Sequence, residues 1–175
     1  MPTNLLKVYP ALLELNDLNI TQRNESLQRI FERDVANNSQ FKFNGKKIRP
    51  LKVEGVVDME VLFKHLTTEE DEDETGIKLG SRSFDIHRSN RLHFIKPHID
   101  DKIEDSIRLF SYNDRKEGRT YTRTYIYNLK EKYVIVLESQ RSNTDYYLLS
   151  AYYLYKEWGE KAMKKKYKNR LLDVY

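Results

Sequence analysis

The sequence predicts an α+β domain in which N-terminal helices pack on a four-stranded antiparallel meander sheet and a C-terminal helix closes the chain. In the first half, apolar residues recur at helical spacing, whereas residues 106–155 carry alternating runs rich in tyrosine and β-branched residues. The links between those runs are short, which favours antiparallel neighbours. The 175 residues fit one domain with a mainly helical part (1–105), a sheet (106–155) and a basic helix (156–170).

Two helices and a hairpin are predicted near the N-terminus. The first helix has Pro10 at its start or at a kink and contains Leu5, Leu6, Leu12 and Leu13. The second lies behind Thr21, a suitable N-cap, and its apolar face consists of Leu27, Ile30, Phe31 and Val35. The segment FKFNGKKIRP predicts a hairpin, because an Asn44-Gly45 turn lies between apolar residues of two short runs.

Two further short helices are predicted before residue 100. Asp58 is placed to cap the first of them, whose apolar stripe is formed by Met59, Leu62, Phe63 and Leu66. The acidic run Glu69–Glu74 follows it, and we expect an exposed loop there because such a run cannot pack. The second helix is predicted over Ile86–Ile95 and stops near Pro97.

The second half of the chain predicts the sheet. The expected strands are Ser106–Tyr112, Arg119–Asn128, Lys132–Glu138 and Thr144–Tyr155. The segment Val134–Leu137 is apolar on both faces, which is typical of a central strand. In the strand before it, alternation places Arg119, Tyr121 and Arg123 on one face and threonines on the other.

The basic charge of the chain is concentrated in this second half. Residues 106–175 hold 15 Lys and Arg against 8 Asp and Glu, and 12 of the 13 tyrosines lie beyond residue 110. Basic charge interleaved with aromatic rings suits a polyanion that carries bases. The alternative is a solvated Lys/Arg surface over a tyrosine-rich sheet core, and composition does not separate the two.

Composition and spacing also exclude several functional classes. Cysteine is absent, so disulfides and thiolate metal sites are excluded. No apolar run reaches the roughly 20 residues of a membrane span, and no signal-peptide pattern opens the chain. The spacing of His87, His93 and His98 by six and five residues does not suit chelation from one helix. We therefore expect a cytoplasmic protein with no cofactor, no metal and no membrane partner.

Histidine and arginine residues supply the candidates for chemistry. His65 is predicted to point away from its helix's apolar stripe, and the helix C-terminus favours its charged form, as suits a proton donor. A capping histidine is the alternative. Arg88 and Arg91 lie three apart and could flank one phosphate, with His93 nearby, or they could form a solvated face.

Arg119 and Arg123 form a second basic pair, on the predicted strand. Tyr121 between them offers a stacking plane or a phenol donor, and we expect Arg119, Arg123 and Tyr121 to face RNA. Glu138 offers a different explanation for Arg123, since it is available for a cross-strand ion pair.

The motifs FKHLTT and TDYYLLSAYYLY, together with the meander containing KYVIVLES, resemble the Barnase–EndoU–colicin–RelE superfamily of ribonucleases, in its phage and mobile-element branch. The similarity covers about residues 58–155. It implies a metal-independent endoribonuclease, toxin-like, that cleaves tRNA or mRNA by 2′-hydroxyl attack to give a 2′,3′-cyclic phosphate. His65 and Ser150 match the motifs best, and Thr67 and Tyr152 match them less closely. The chain has HLTT where the family often has HLTG.

The resemblance and the chemistry together give the candidate residues. The expected catalytic residues are His65, Arg91, His93, Arg119, Arg123 and Ser150. The expected RNA-binding residues are Thr67, Arg88, Tyr121, Tyr152, Lys164 and Lys165. The expected partners are RNA and an acidic antitoxin or immunity protein. Two alternatives stay open: a non-catalytic nucleic-acid-binding module, and a protein-interaction domain of a phage or mobile element.

Overall fold

The computed structural model of the protein describes residues 3–50, 52–140 and 142–175. Its α-helices are α1 (Thr3–Leu6), α2 (Ile20–Phe31), α3 (Met59–Thr67), α4 (Ile86–Ser89), α5 (Ile95–Ile99) and α6 (Glu157–Lys168). A π-helical turn (Glu32–Ala36) continues α2, and a 3₁₀ turn (Leu92–Phe94) precedes α5. The strands are β1 (Lys42–Phe43), β2 (Lys46–Pro50), β3 (Lys52–Val53), β4 (Val56–Val57), β5 (Thr68–Glu72), β6 (Lys78–Phe84), β7 (Ile107–Lys116), β8 (Arg119–Asn128), β9 (Tyr133–Ser139) and β10 (Asp145–Tyr153).

The main sheet has six strands in the order β1-β2-β10-β9-β8-β7 and is mixed. The prediction of a four-stranded antiparallel meander sheet is therefore wrong. The strands β7 to β10 are antiparallel neighbours in chain order, but β2 adds to β10 in parallel, with Asp145 opposite Lys47 and Leu148 opposite Pro50. The hairpin around the Asn44-Gly45 turn is part of this sheet, which no local pattern could show, because parallel pairing joins segments that are remote in sequence.

Each face of the sheet has its own apolar core. One face, here called the helical face, carries Ile126, Ile135 and Leu137 and packs against residues of α2, α3 and α5. The other, here called the closing face, carries Tyr125, Val136 and neighbouring residues and packs against Met163 of α6. Strand β9 is buried on both faces, as its apolar sequence predicted.

The N-terminal helices differ from the prediction in their bounds. Only α1 is helical among residues 3–19, and the four leucines do not form one helix. The buried Asn4 explains the difference, because its side-chain amide donates to the Glu14 carbonyl and accepts from the Glu14 N–H, which holds residues 7–14 in a loop. Helix α2 begins behind Asn19, which forms a capping box with Gln22, two residues before the predicted cap Thr21.

The predictions for the acidic run and for the helix over Ile86–Ile95 were also wrong in part. Residues Thr68–Glu72 form a strand of a two-stranded sheet with β6, and are not a loop. Opposite charges across the hairpin make this possible: Glu70 forms an ion pair with Lys78 at 2.9 Å, and Asp71 accepts from Ser81. The stretch predicted as a helix over Ile86–Ile95 consists of α4, the 3₁₀ turn and the start of α5, which continues through Pro97.

Within the described ranges, no helix is both long enough and apolar enough to cross a membrane.

The central position of β9 predicts a large effect of truncation there. Ile135 is fully buried, so Ile135→Ala should lower the free energy of unfolding by about 2–5 kcal/mol through lost burial and a residual cavity. The matched control is Ile77→Ala in the β5–β6 turn, where the side chain is 63% exposed and the expected change is below about 0.5 kcal/mol. Urea denaturation measures both, and equal losses would contradict the described core.

Candidate active site

Helix α3 presents His65 at the protein surface. Asp58 caps the helix by accepting from the N–H groups of Glu60 and Val61, as predicted. Leu62 and Leu66 of its apolar stripe are buried, and His65 is exposed. Thr67 is buried, and its hydroxyl donates to the Phe63 carbonyl at the end of α3.

Arg88 joins α3 to the sheet. The Arg88 guanidinium donates from one nitrogen to the His65 carbonyl at 2.9 Å and to Ser150 Oγ at 3.2 Å. Asp85, the N-cap of α4, holds Arg88 through an ion pair at 3.3 Å. His65 and Ser150 are 85 positions apart in sequence, and this one side chain brings their segments to the same place.

Ser150 lies at an irregular position of β10. The register of β10 with β9 shifts between Leu148 and Ser150, so a bulge re-aims the strand there, and Ser150 pairs with Val136. Directly paired residues point to the same side of a sheet, so Ser150 lies on the closing face. Among the described residues, β2 pairs with β10 as far as Leu148, and helices α3 and α4 contact β10.

Tyr152 lies on the same face, one pair further along. Its ring centre is 5.6 Å from the guanidinium carbon of Arg88. Burial raises the pKa of Tyr152 to about 12, although the positive charges of Arg88 and Arg123 act in the opposite direction. The phenol therefore keeps its proton at neutral pH and can donate a hydrogen bond.

Arg123 is neutralised by protein carboxylates. It forms ion pairs with Glu138 at 3.2 Å and with Asp114 at 3.5 Å. Lys166 and Tyr125 both donate to Asp114, and Lys166 Nζ also donates to the Tyr125 hydroxyl at 2.8 Å. The cross-strand pairing with Glu138 thus accounts for Arg123, and Lys166 anchors α6 to the sheet.

The environment of His65 differs from the sequence-based expectation. A helix C-terminus should favour the charged imidazole, yet partial desolvation of the ring, followed by the positive charges of Arg82 and Arg88, lowers the pKa of His65. The charge of Glu70 opposes this shift. A lowered pKa leaves the imidazole mainly neutral at pH 7, where it can accept a proton, so this environment suits a base better than the predicted proton donor.

Arg91 and His93 lie in the core and outside this site. The Arg91 guanidinium stacks 3.9 Å from the Tyr153 ring centre and donates to the His87 carbonyl, so Arg88 and Arg91 do not flank one phosphate. His93 is 4% exposed, and its Nε2 lies 2.8 Å from the Ala11 carbonyl. The catalytic roles predicted for Arg91 and His93 do not fit these buried positions. The spacing of the residues alone did not show which side of this segment faces the core.

Arg119 and Tyr121 lie at the far end of β8. They line an open depression of about 1200 Å³ between the β7–β8 turn and the β9–β10 turn, together with Gln140 and Tyr147. Arg119 shares the closing face with Arg123 by strand alternation, but the groups that set the pKa of His65 do not include Arg119. Lys164 and Lys165 are exposed on α6.

Three residues beside Arg88 were missed by sequence reasoning. Arg82 on β6 donates to the hydroxyl and the carbonyl of Thr68 and lies close enough to His65 to affect its pKa. Trp158 and Tyr155 border a cavity beside Arg88 and Tyr152. The one signal in the sequence that could have drawn attention to this cavity was the single tryptophan, Trp158, shortly after the last strand. No group of three or more His, Asp or Glu in the described part of the chain is arranged to hold a metal ion.

No protein-family model matches this chain, and no curated protein and no solved structure matches it either.

Burial of His93 predicts a pH-dependent stability. Burial lowers its pKa to about 4, whereas an unfolded histidine titrates near its ordinary value of 6.5. The unfolded state therefore binds the extra proton first, and the stability contributed by neutral His93 is present above pH 6.5 and is lost as pH falls toward 4. The loss is on the order of 3 kcal/mol.

The measurement is the free energy of unfolding between pH 4 and 7 for wild type, His93→Gln and the control His87→Gln. We expect a shallower slope for His93→Gln alone, since the glutamine cannot titrate. A slope identical to that of wild type would show that His93 is not the group that carries this dependence.

Proposed function

We propose that this protein is a metal-independent endoribonuclease whose active site lies around Arg88. The observation that carries the proposal is the bridge from Arg88 to the His65 carbonyl and to Ser150 Oγ. His65 and Ser150 are the two residues that match the ribonuclease motifs best, and the motifs alone gave no reason for them to meet. Their proximity supports a common role.

The chemistry follows from the groups present. Neutral His65 takes the proton from a ribose 2′-hydroxyl, and the 2′-oxygen attacks the adjacent phosphorus. The P–O5′ bond breaks, the electron pair goes to the 5′-oxygen, and a proton from the Tyr152 phenol or from water neutralises it. The products are a 2′,3′-cyclic phosphate and a 5′-hydroxyl, and no redox change or cofactor is required.

Arg88 and Arg82 supply the positive charge for the crowded phosphorane. Both arginines lie close enough to His65 for their charges to affect its pKa. Arg82 donates hydrogen bonds to the hydroxyl and the carbonyl of Thr68, which are neutral groups, so its positive charge is available to stabilise an anion. Arg123 is less suited, because it pairs with two carboxylates, Glu138 and Asp114, whereas Arg88 forms one such pair within the ranges that the structure describes, with Asp85. In this proposal Ser150 positions Arg88 and can donate its hydroxyl proton to a phosphate oxygen.

The substrate in this proposal is tRNA or mRNA in the cytoplasm, and an acidic neutralising protein is the partner that a toxic ribonuclease would require. A module that binds RNA without cleaving it is the competing function. The two differ in one measurable property, the appearance of new RNA ends.

Removing Arg88 tests the proposed centre. Arg88→Ala should lower kcat/KM for RNA cleavage by roughly 5- to 150-fold, since one charge-assisted contact is worth about 1–3 kcal/mol. Arg29→Ala is the matched control, because Arg29 is an exposed arginine of α2. The assay is cleavage of total RNA in EDTA with sequencing of the ends. Cleavage that needs added Mg²⁺ and leaves 5′-phosphates would refute the proposal.

The lowered pKa of His65 predicts the shape of the pH–rate profile. A general base must be deprotonated, so kcat/KM should rise with pH through a pKa below 6.5 and then level off near neutrality. In His65→Ala the residual rate should lack that rise. A profile that falls with increasing pH across the same range would instead make His65 an acid.

A further inference from the structure

The strongest unassigned feature is a cavity beside the proposed active site, between β10 and α6. It has a volume of about 340 Å³, in the lower range of small-ligand pockets. Its walls combine three aromatic rings, Tyr152, Tyr155 and Trp158, with three cations, Arg88, Lys156 and Lys166. Two carboxylates also line it, and both have partners: Asp85 forms an ion pair with Arg88, and Glu69 accepts from the Tyr155 hydroxyl. Arg88 and Tyr152 belong both to this cavity and to the cluster around Ser150.

Two of these aromatic rings are unusually open to solvent. The side chain of Trp158 is 67% exposed and that of Tyr155 is 44% exposed, so neither belongs to the two apolar cores. Exposed aromatic side chains that adjoin one another and are rimmed by polar groups are typical of a binding site. Three cations against two paired carboxylates favour a ligand that is both planar and anionic.

Tyr155 is held in place before any ligand binds. The His87 ring stacks on it with centres 4.9 Å apart and an angle of 22° between the planes. The Tyr155 hydroxyl donates to Glu69 at 3.1 Å, which fixes the ring from its other end. A ring oriented in this way loses little conformational entropy when a second ring stacks on it.

Cations surround the aromatic walls. Lys156 Nζ lies 5.2 Å from the Tyr155 ring centre and 5.6 Å from that of Trp158. Arg88, which donates to Ser150 Oγ, also lines the cavity. Phosphates on either side of a stacked base would meet these groups, and aromatic stacking together with backbone-directed cations is how proteins hold single-stranded nucleic acid.

We propose that the Tyr155–Trp158 cavity is a nucleobase subsite, which stacks one unpaired base of the RNA next to the phosphate held by Arg88. This inference rests on the proposed ribonuclease function for the identity of the strand. It adds the requirement that the substrate be single-stranded at this position, because a base inside a duplex cannot enter the cavity.

Trp158 is the only tryptophan of the chain, so its fluorescence reports on this cavity alone. The probe is a short single-stranded DNA oligonucleotide, which has no 2′-hydroxyl and cannot be cleaved by the proposed chemistry. An abasic oligonucleotide with the same number of phosphates is the control. We expect quenching and tight binding with the base-containing strand, and at least roughly tenfold weaker binding with the abasic strand, as for loss of one stacked base.

The variants Tyr155→Ala and Tyr155→Phe separate the effect of losing the aromatic ring from the effect of losing only its hydroxyl. The alanine variant should weaken binding of the base-containing strand at least about tenfold, whereas the phenylalanine variant keeps the ring and should bind like wild type. Thermal melting shows whether each variant is folded. Should the alanine variant not fold, the comparison of the two oligonucleotides on wild type still decides the question.

The inference and the proposed function can fail separately. Base-dependent quenching without any RNA cleavage would leave the nucleobase subsite standing and refute the ribonuclease. Cleavage with equal binding of both oligonucleotides, or with no change in Trp158 fluorescence, would refute the subsite and leave the ribonuclease standing. Unchanged binding by a folded Tyr155→Ala variant would also refute the subsite.

Discussion

Strand β10 is paired with β9 from Tyr146 to Tyr153, whereas, in the part of the chain that the structure describes, β2 pairs with it from Asp145 to Leu148. The bulge before Ser150 follows directly, and helices α3 and α4 contact the strand. A strand edge without a partner strand must be covered or paired in some other way. Here the covering helices carry His65 and Arg88, so the end of the parallel pairing determines where the proposed active site can form.

The charges around this edge are organised in two groups with different roles. In one group, Asp114 and Glu138 neutralise Arg123, and Lys166 ties α6 to the same carboxylate. A partly buried network of this kind is costly to break, because each removed partner leaves another charge desolvated. In the other group, the positive charges of Arg82 and Arg88 help to lower the pKa of His65, and the proposed function assigns these two arginines to the phosphate.

The basic residues also differ in how firmly they are held. Arg119 and the lysines Lys164 and Lys165 lie at the surface, where exposed cations attract a polyanion at long range and are screened by salt. Arg88 is held by Asp85 and by hydrogen bonds on both sides, so its position is defined. Under the proposed function, attraction and positioning of the RNA would fall to different residues, and the aromatic rings of Tyr155 and Trp158 line the same cavity as Arg88.

The sequence by itself determined the local features: the four consecutive antiparallel strands, the cap at Asp58, the closing helix and the exposure of His65. Each depends on alternation, helical spacing or capping within about ten residues. Only the tertiary structure decided that β2 joins β10, that Arg91 and His93 face the core, and that Arg88 meets Ser150. These depend on contacts between distant segments, whose burial and charge no local pattern contains, so the six-stranded sheet and the lowered pKa of His65 could not be predicted from the sequence.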